Sequence, residues 1–423
     1  MVTGGVRLLL AGLFLAAGTV VCAPWARADS PPLKSVEPEV YTDQPAGIKY
    51  GPLIYHASLF TGTVWDSNIF SSRDNVVADR ILVIRPGLTV STIDPNYKFT
   101  LRTSMEHLDY DKSDSESRTD ARADLRGTVR AQRNLEVDVG LTAARVNEPR
   151  SIQRRDLPED AADPVRHNQY AAWVGLRRNL NPVVSTTTVT WENDNYFDVR
   201  TNSGNRINLQ YLDRDAAKVT QETDLRLSQR LLLFTRQRLI TTIYRDEPGF
   251  IQRDSVKFET VQGIEVGFTP LIRGKFSVHF GDEHFWTRSI EADPELIYSA
   301  EVSWTPTRKL RLKAGFARDF GGVSFDLDSV GGRRTRADFL LEYEITRQLY
   351  FRASFAHLHA NEAGLISGAG RLENYYQYKA SLGYEMNRFW SLFLDYDYER
   401  RDANFEINEF ERHIIQTGVV ARF

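Results

Sequence analysis

The sequence predicts an all-β protein: a transmembrane antiparallel up-and-down β-barrel of about eighteen strands, with short periplasmic turns and longer extracellular loops. Three observations predict it. The chain opens on an export leader, its body alternates apolar and polar residues in twos between short turns and long loops, and it ends on a strand whose last residue is aromatic.

The leader comes first. Met1 to Arg7 is a short basic start, Leu8 to Val21 is apolar, and Ala26-Arg27-Ala28 forms a small-residue cleavage site before Asp29. Residues 1–28 therefore read as a secretory signal peptide, too short to stay as a membrane helix. Val21 is too bulky to precede a lipid-modified cysteine, so Cys22 is not read as a lipoprotein site. Cleavage after Ala28 removes the only cysteine and leaves a mature chain without disulfide or cysteine–metal chemistry. Residues 29–52 hold five prolines and no periodicity, which predicts a flexible periplasmic segment.

The remainder, 53–423, is expected to be the barrel. Composition is polar on average, with 42% hydrophobic and 26% charged residues and a mean hydropathy of -0.39. No second stretch reaches the ~18 apolar residues of a membrane helix. A barrel scores as polar too, because only alternate strand residues meet lipid. The 18 Tyr, 23 Phe and 7 Trp suit girdles at the two interfaces. A net charge of -3 singles out no partner class, and no nucleic-acid partner is expected.

Short turns are expected at Asp94-Pro95-Asn96, Arg133-Asn134, Asn181-Pro182, Gln229-Arg230, Thr269-Pro270, Thr305-Pro306, Thr346-Arg347 and Asn387-Arg388. Between them lie longer polar segments such as Asp109 to Ser117, Asn147 to His167 and Gly321 to Arg333. The alternation of the two predicts about eighteen strands of about 10 to 14 residues. It blurs around Asn195 to Gln229, where the count is least defined. An even number allows closure, and closure is required because an open edge leaves backbone groups unpaired in lipid.

Individual strands carry the pattern. Leu310, Leu312, Ala314 and Phe316 alternate with Arg311, Lys313 and Gly315, and Leu392, Leu394, Tyr396 and Tyr398 with Phe393, Asp395, Asp397 and Glu399. At the terminus Ile415, Thr417, Val419 and Ala421 share one face, and Ile414, Gln416, Gly418, Val420 and Arg422 the other. Phe423 resembles the terminal signal read by the outer-membrane assembly machinery. A soluble sandwich would share the alternation, and the leader, the terminal Phe423 and the unequal loops are what separate the two.

Short motifs add a resemblance. Trp65-Asp66-Ser67-Asn68-Ile69-Phe70 and Ile84-Arg85-Pro86-Gly87-Leu88 together resemble the opening of the putative β-barrel porin type 2 family of Gram-negative bacteria. Trp65 stands for the family's usual Tyr, and Ser67 for its second Asp. Asn147-Glu148-Pro149-Arg150-Ser151 is similar to the family's next long loop, and Leu212-Asp213-Arg214-Asp215 to a later Asp/Arg-rich stretch. Members often accompany exopolysaccharide synthesis and export genes. The resemblance thus implies an outer-membrane pore that passes polymer or assists its export, with polysaccharide synthesis and export proteins as partners. No functional residue carries over from it.

The residues themselves offer one candidate for selectivity. Arg118, Asp120, Arg122, Asp124, Arg126, Thr128 and Arg130 share a face, opposite Thr119, Ala121, Ala123, Leu125, Gly127, Val129 and Ala131. Arg at the midplane of a lipid face costs ~2–4 kcal/mol, so the charged face is expected to line the lumen. It would serve as a ladder of cross-strand ion pairs or, through its surplus of arginine, as an anion-favouring stripe.

Other constellations are weaker. His357 and His359 share a strand face without a third ligand, and Asp282 and His284 share another that suits a wet rim. Asp109 to Asp114 lacks the Gly and Glu of a calcium loop. Arg154-Arg155 and Arg333-Arg334 could meet lipopolysaccharide phosphates from exposed loops. No nucleophile elbow occurs, so neither enzyme activity nor a cofactor is expected. Two other readings remain: a general diffusion porin, narrowed by an inward-folded Asn147 to His167, and a structural or adhesive barrel with a plugged lumen.

Overall fold

The computed structural model describes residues 45–94, 96–148, 162–201, 203–245, 253–287, 295–321, 329–364, 371–404 and 409–423. The expected leader, Cys22 and Arg154-Arg155 lie outside them. Eighteen long strands form one sheet, each antiparallel to its chain neighbour. The first, Leu53–Asp66, pairs with the second, Asp79–Thr92, on one side and with the last, Phe410–Arg422, on the other. That last pairing closes the barrel and removes every edge, as lipid demands.

Strands run from 12 residues at Leu310–Gly321 to 16 at Ser329–Glu344, enough to cross the hydrocarbon layer at a tilt. Nine long connections stand at one end and eight short turns at the other. The end of the chain lies with the short turns, where Phe423 and Ala57 exchange backbone hydrogen bonds of 2.8 and 3.1 Å.

Two expectations need correction. Ile48–Tyr50 is a short strand folded back on Leu53–Tyr55 through Gly51, whose φ of 57° a glycine adopts freely. A strand therefore lies inside the segment 29–52 expected to be flexible. Thr305-Pro306 is not a turn: the strand Glu295–Thr307 runs through it, and the chain reverses at Arg308-Lys309. There Thr307 Oγ1 accepts the N–H groups of Lys309 and Leu310, at 3.2 and 3.1 Å. The register slips between Trp304 and Thr307, where Pro306 has no N–H to pair. Thr269 and Thr346 cap their turns in the same way.

The outer face carries a belt of exposed apolar side chains, among them Leu82, Ile84, Leu101, Leu141, Val174 and Leu392. Aromatics flank it, with Tyr97, Trp304 and Trp390 towards the turns and Trp65, Trp191 and Trp286 towards the loops. A soluble protein would not tolerate so continuous a patch, whereas lipid solvates it.

The closing seam has its own packing. Gly62 and Gly418 face each other across it, and a Cβ at either would collide with the facing backbone carbonyl, Thr417 O or Thr61 O, and with the Phe60 ring. Phe393 packs against Phe60 at 5.0 Å between centroids, tilted by 31°. Two glycines in register let an aromatic ring cover the junction from inside.

Candidate functional site: the lumen wall

Register assigns each side chain to a face. Asp124 and Thr128 bond to Thr142 and Asp138 of the neighbouring strand Leu135–Glu148, at 2.7 and 2.6 Å. The outer alternates include Val129 and Leu141, which are exposed to the surroundings. Arg118, Asp120, Arg122, Asp124, Arg126, Thr128 and Arg130 therefore project into the lumen from Arg118–Gln132.

They are not one uniform stripe. Arg118 donates to Tyr110 Oη at 3.0 Å and to the Glu116 carbonyl at 3.3 Å. Asp120 accepts from the backbone and side-chain nitrogens of Asn147, at 2.8 and 2.7 Å. Arg122 grips Asp124 through two nitrogens, at 2.7 and 2.8 Å. That pair lies along one strand, not across two. Arg130 comes within 3.8 Å of Glu136 on the next strand.

Arg126 differs, because no carboxylate among the described residues lies within ion-pair distance of it. Its cross-strand neighbours are Thr100 on one side and Gly140 on the other. Lys98 and Arg102 flank Thr100 on the same inner face and are likewise unpaired at that distance. Three cations thus surround one threonine hydroxyl on two adjacent strands, all of them exposed. On the far side of Arg126, the indole of Trp173 lies across Gly140.

Much of the remaining inner wall is charged but paired. Arg238 pairs with Glu259 at 2.7 Å, Lys257 with Glu259 at 2.9 Å, Arg236 with Glu222 at 3.1 Å and Arg352 with Glu342. On Trp390–Ala403 an acidic row faces inward, Asp395, Asp397 and Glu399, but Asp397 and Glu399 are each only 8% exposed. Lys379 covers Asp397 at 2.7 Å, Gln377 bonds to both, and Arg412 approaches Glu399 at 3.6 Å. By contrast Lys98, Arg102 and Arg126 are exposed. The acids are screened within their networks while the unpaired cations meet the open lumen.

Two long connections fold against the inside of the mouth. From 67–78, Ile69, Phe70 and Val77 pack on the inward side chains Val64, Ile81, Val83, Leu108 and Ile414. From 197–213, Val199, Leu209 and Leu212 pack on Val165 and Tyr196. Burial raises the Asp213 carboxyl above its usual range, opposed by the Tyr196 N–H and by Arg245. The loop expected to narrow the channel, Asn147 to His167, lies mainly outside the described residues. The blurred alternation after Asn195 marks where the chain leaves the wall to cover it, and Ile69-Phe70 within a polar loop was the other available signal.

The first motif turns out to be a lock on the seam. Asp66, fully buried, accepts Nε of Arg412 at 2.9 and 3.1 Å and also binds its Nη2. Asn68 donates to the carbonyls of Ser72 and Glu411, at 2.7 and 3.1 Å, and Ser67 Oγ accepts the His413 N–H at 2.8 Å. Motif residues that mark a turn in the sequence therefore tie the first hairpin to the last strand.

The remaining candidates are dispersed. Asp282 and His284 project from the outer face near the loops, since their alternates Glu283 and Phe285 face inward. His357 and His359 also lie outside, sharing Asn374 Oδ1 at 3.3 and 3.0 Å. Asp111 pairs with Arg80, and no group of three or more metal-ligating residues occurs among the described residues. Arg333-Arg334 belongs to the strand Ser329–Glu344 rather than to a loop.

Comparison with known proteins agrees with this architecture. A family model described as "Putative beta-barrel porin 2" matches residues 42–423. No curated protein matches. Among solved structures, the siderophore receptor PirA of Acinetobacter baumannii is similar at a TM-score of 0.53 and 7% identity, over 87% of this chain and 80% of that one. A mutant of the ferric enterobactin receptor PfeA of Pseudomonas aeruginosa is similar at 0.50 and 9% identity, over 87% and 80%. OccK2 (OpdF) of Pseudomonas aeruginosa, solved with glucuronate, is similar at 0.50 and 12% identity, over 87% and 98%. At these identities the likeness is one of fold.

Proposed function

The chain belongs to the putative beta-barrel porin 2 family, and on that premise we propose that it is an outer-membrane pore favouring anions, through which an acidic exopolysaccharide is exported. One observation carries the reading: the charge left unpaired on this sector of the lumen is basic, because no carboxylate among the described residues lies within ion-pair distance of Lys98, Arg102 or Arg126, while Asp397 and Glu399 are screened. A confined basic sector raises the local concentration of anions and slows cations. Trp173 beside Arg126 supplies a flat apolar surface next to a cation, a combination suited to a sugar ring bearing a carboxylate. Polysaccharide synthesis and export proteins would then deliver the polymer on the periplasmic side.

The second reading is a porin for small anionic solutes. It is favoured by the two loops docked inside the mouth.

The test is a bilayer measurement across a salt gradient with Arg122→Glu plus Arg126→Glu. The reversal potential should move towards cation preference while the barrel still assembles. Arg102→Glu alone should move it the same way without breaking the Arg122–Asp124 pair. Unchanged ion preference in both folded variants would leave the cations as wall structure. Passage of a charged oligosaccharide, as against glycolytic-size acids only, separates the two readings.

A further inference from the structure

The turn end of the barrel carries an excess of exposed, unpaired cations among the described residues. Across the eight short turns the cations are Arg133, Arg230, Arg308, Lys309, Arg347 and Arg388, all exposed. The only carboxylate there is Asp94, which accepts the Asn96 N–H at 2.7 Å. No carboxylate among the described residues lies within ion-pair distance of these six cations. Just inside the same end, Arg177, Arg226 and Arg273 project into the lumen, exposed and unpaired at that distance. The acids of that row that face them are Glu136, which Arg130 approaches, together with Asp224 and Glu265.

The acids of the connections at the other end are largely paired or covered: among the described residues Asp111 pairs with Arg80 at 3.2 Å, Glu409 with Arg73 at 3.0 Å, and Glu116 is buried. The short-turn end is periplasmic in an outer-membrane barrel.

From this polarity we propose that the periplasmic end is a collecting mouth for an anionic carbohydrate polymer. The inference rests on the anion-favouring export reading above and adds the residues that gather the polymer at the periplasmic opening. Exposed cations around a low-dielectric opening draw polyanions to it, and the paired charges of the opposite rim do not. A chain entering from the periplasm meets Arg177, Arg226, Arg273 and Lys98, each one or two residues from the turn end of its strand, and then Arg102 and Arg126 deeper in the lumen. Entry from outside meets the paired charges of the loop end first.

The experiment is one-sided block of single channels formed by the full-length barrel, with polygalacturonate as polyanion and neutral dextran of matched length as control. Block from the turn side should need at least about tenfold less polygalacturonate than block from the loop side. Dextran should show no side preference. Raising KCl to about 1 M shortens the screening length to about 3 Å and should abolish the difference in the unaltered protein. Arg133→Gln with Arg230→Gln, Arg347→Gln and Arg388→Gln should abolish it as well. None of these side chains has an ion-pair partner to lose. The reversal potential should stay unchanged in that variant, so failure of the mouth and failure of the lumen reading are separable.

Equal block from both sides, or no block from either, overturns the proposal even where ion preference is intact. So does a side preference that survives salt, or one shared by dextran. If the four-residue variant keeps its preference, the polarity comes from elsewhere and the mouth is not the cause. Side-specific capture of an acidic protein without any block by polygalacturonate would assign the rim to a protein partner and likewise overturn it.

Discussion

At the scale of the residue, the contrast between two ion pairs is instructive. Arg80 and Asp111 meet at 3.2 Å with side chains 66% and 52% exposed. Such a pair contributes roughly 0–1 kcal/mol. Asp66 and Arg412 meet in a site where Asp66 has no exposure at all and Arg412 also contacts Glu399 and Ser71. Removing one partner there leaves a buried charge, and the cost rises to about 3–5 kcal/mol. Asp66→Asn should therefore lower the temperature at which the folded band disappears in a gel-shift assay, whereas Arg80→Gln should barely move it. Equal shifts would mean that water reaches the Asp66 site and that the seam is held by its backbone ladder alone.

At the scale of the element, the turns and the loops behave differently. Turn positions follow from a Thr or Asn that caps the N–H groups two and three residues on, as Thr269, Thr346 and Asn387 do. That chemistry is local, so most turns were legible; Thr305-Pro306 misled because proline usually marks a reversal and here marks a bulge. The loop 67–78 is held by apolar packing on residues from four strands, which no local pattern shows. Ile69→Asp would bury an unpaired carboxylate, at several kcal/mol, more than one loop's packing supplies. The loop should leave the wall, raising single-channel conductance and exposing 67–78 to external protease. Unaltered conductance with a protease-sensitive loop would show that it does not restrict the path.

At the scale of the whole molecule, closure is the cooperative event. Phe410–Arg422 must pair with both Trp390–Ala403 and Leu53–Asp66, which are the two halves of the seam. Phe423 lies beyond that strand, 48% exposed on the outside and bonded to Ala57 through its backbone only. Its ring therefore adds little to the finished wall, and a role in assembly is where its loss should be felt. Deleting Phe423 should leave exported chains unassembled in the periplasm. Those barrels that do form should melt near the normal temperature. Normal amounts of heat-modifiable protein in the outer membrane would instead show that the terminal ring is dispensable.

The sequence by itself determined the barrel and which residues share one face of a strand. Both depend on a period of two and on turn chemistry, which act within a few residues. The row from Arg118 to Arg130 could be assigned to one face for that reason. Only the tertiary structure decided which of those charges remain unpaired, that Lys98 and Arg102 join Arg126, and that the acids at Asp397 and Glu399 are screened. It also decided that the first motif grips the last strand, across a separation of 346 residues between Asp66 and Arg412. Pairing depends on register between strands and on closure of the whole sheet, and neither is written in the spacing of residues along one strand.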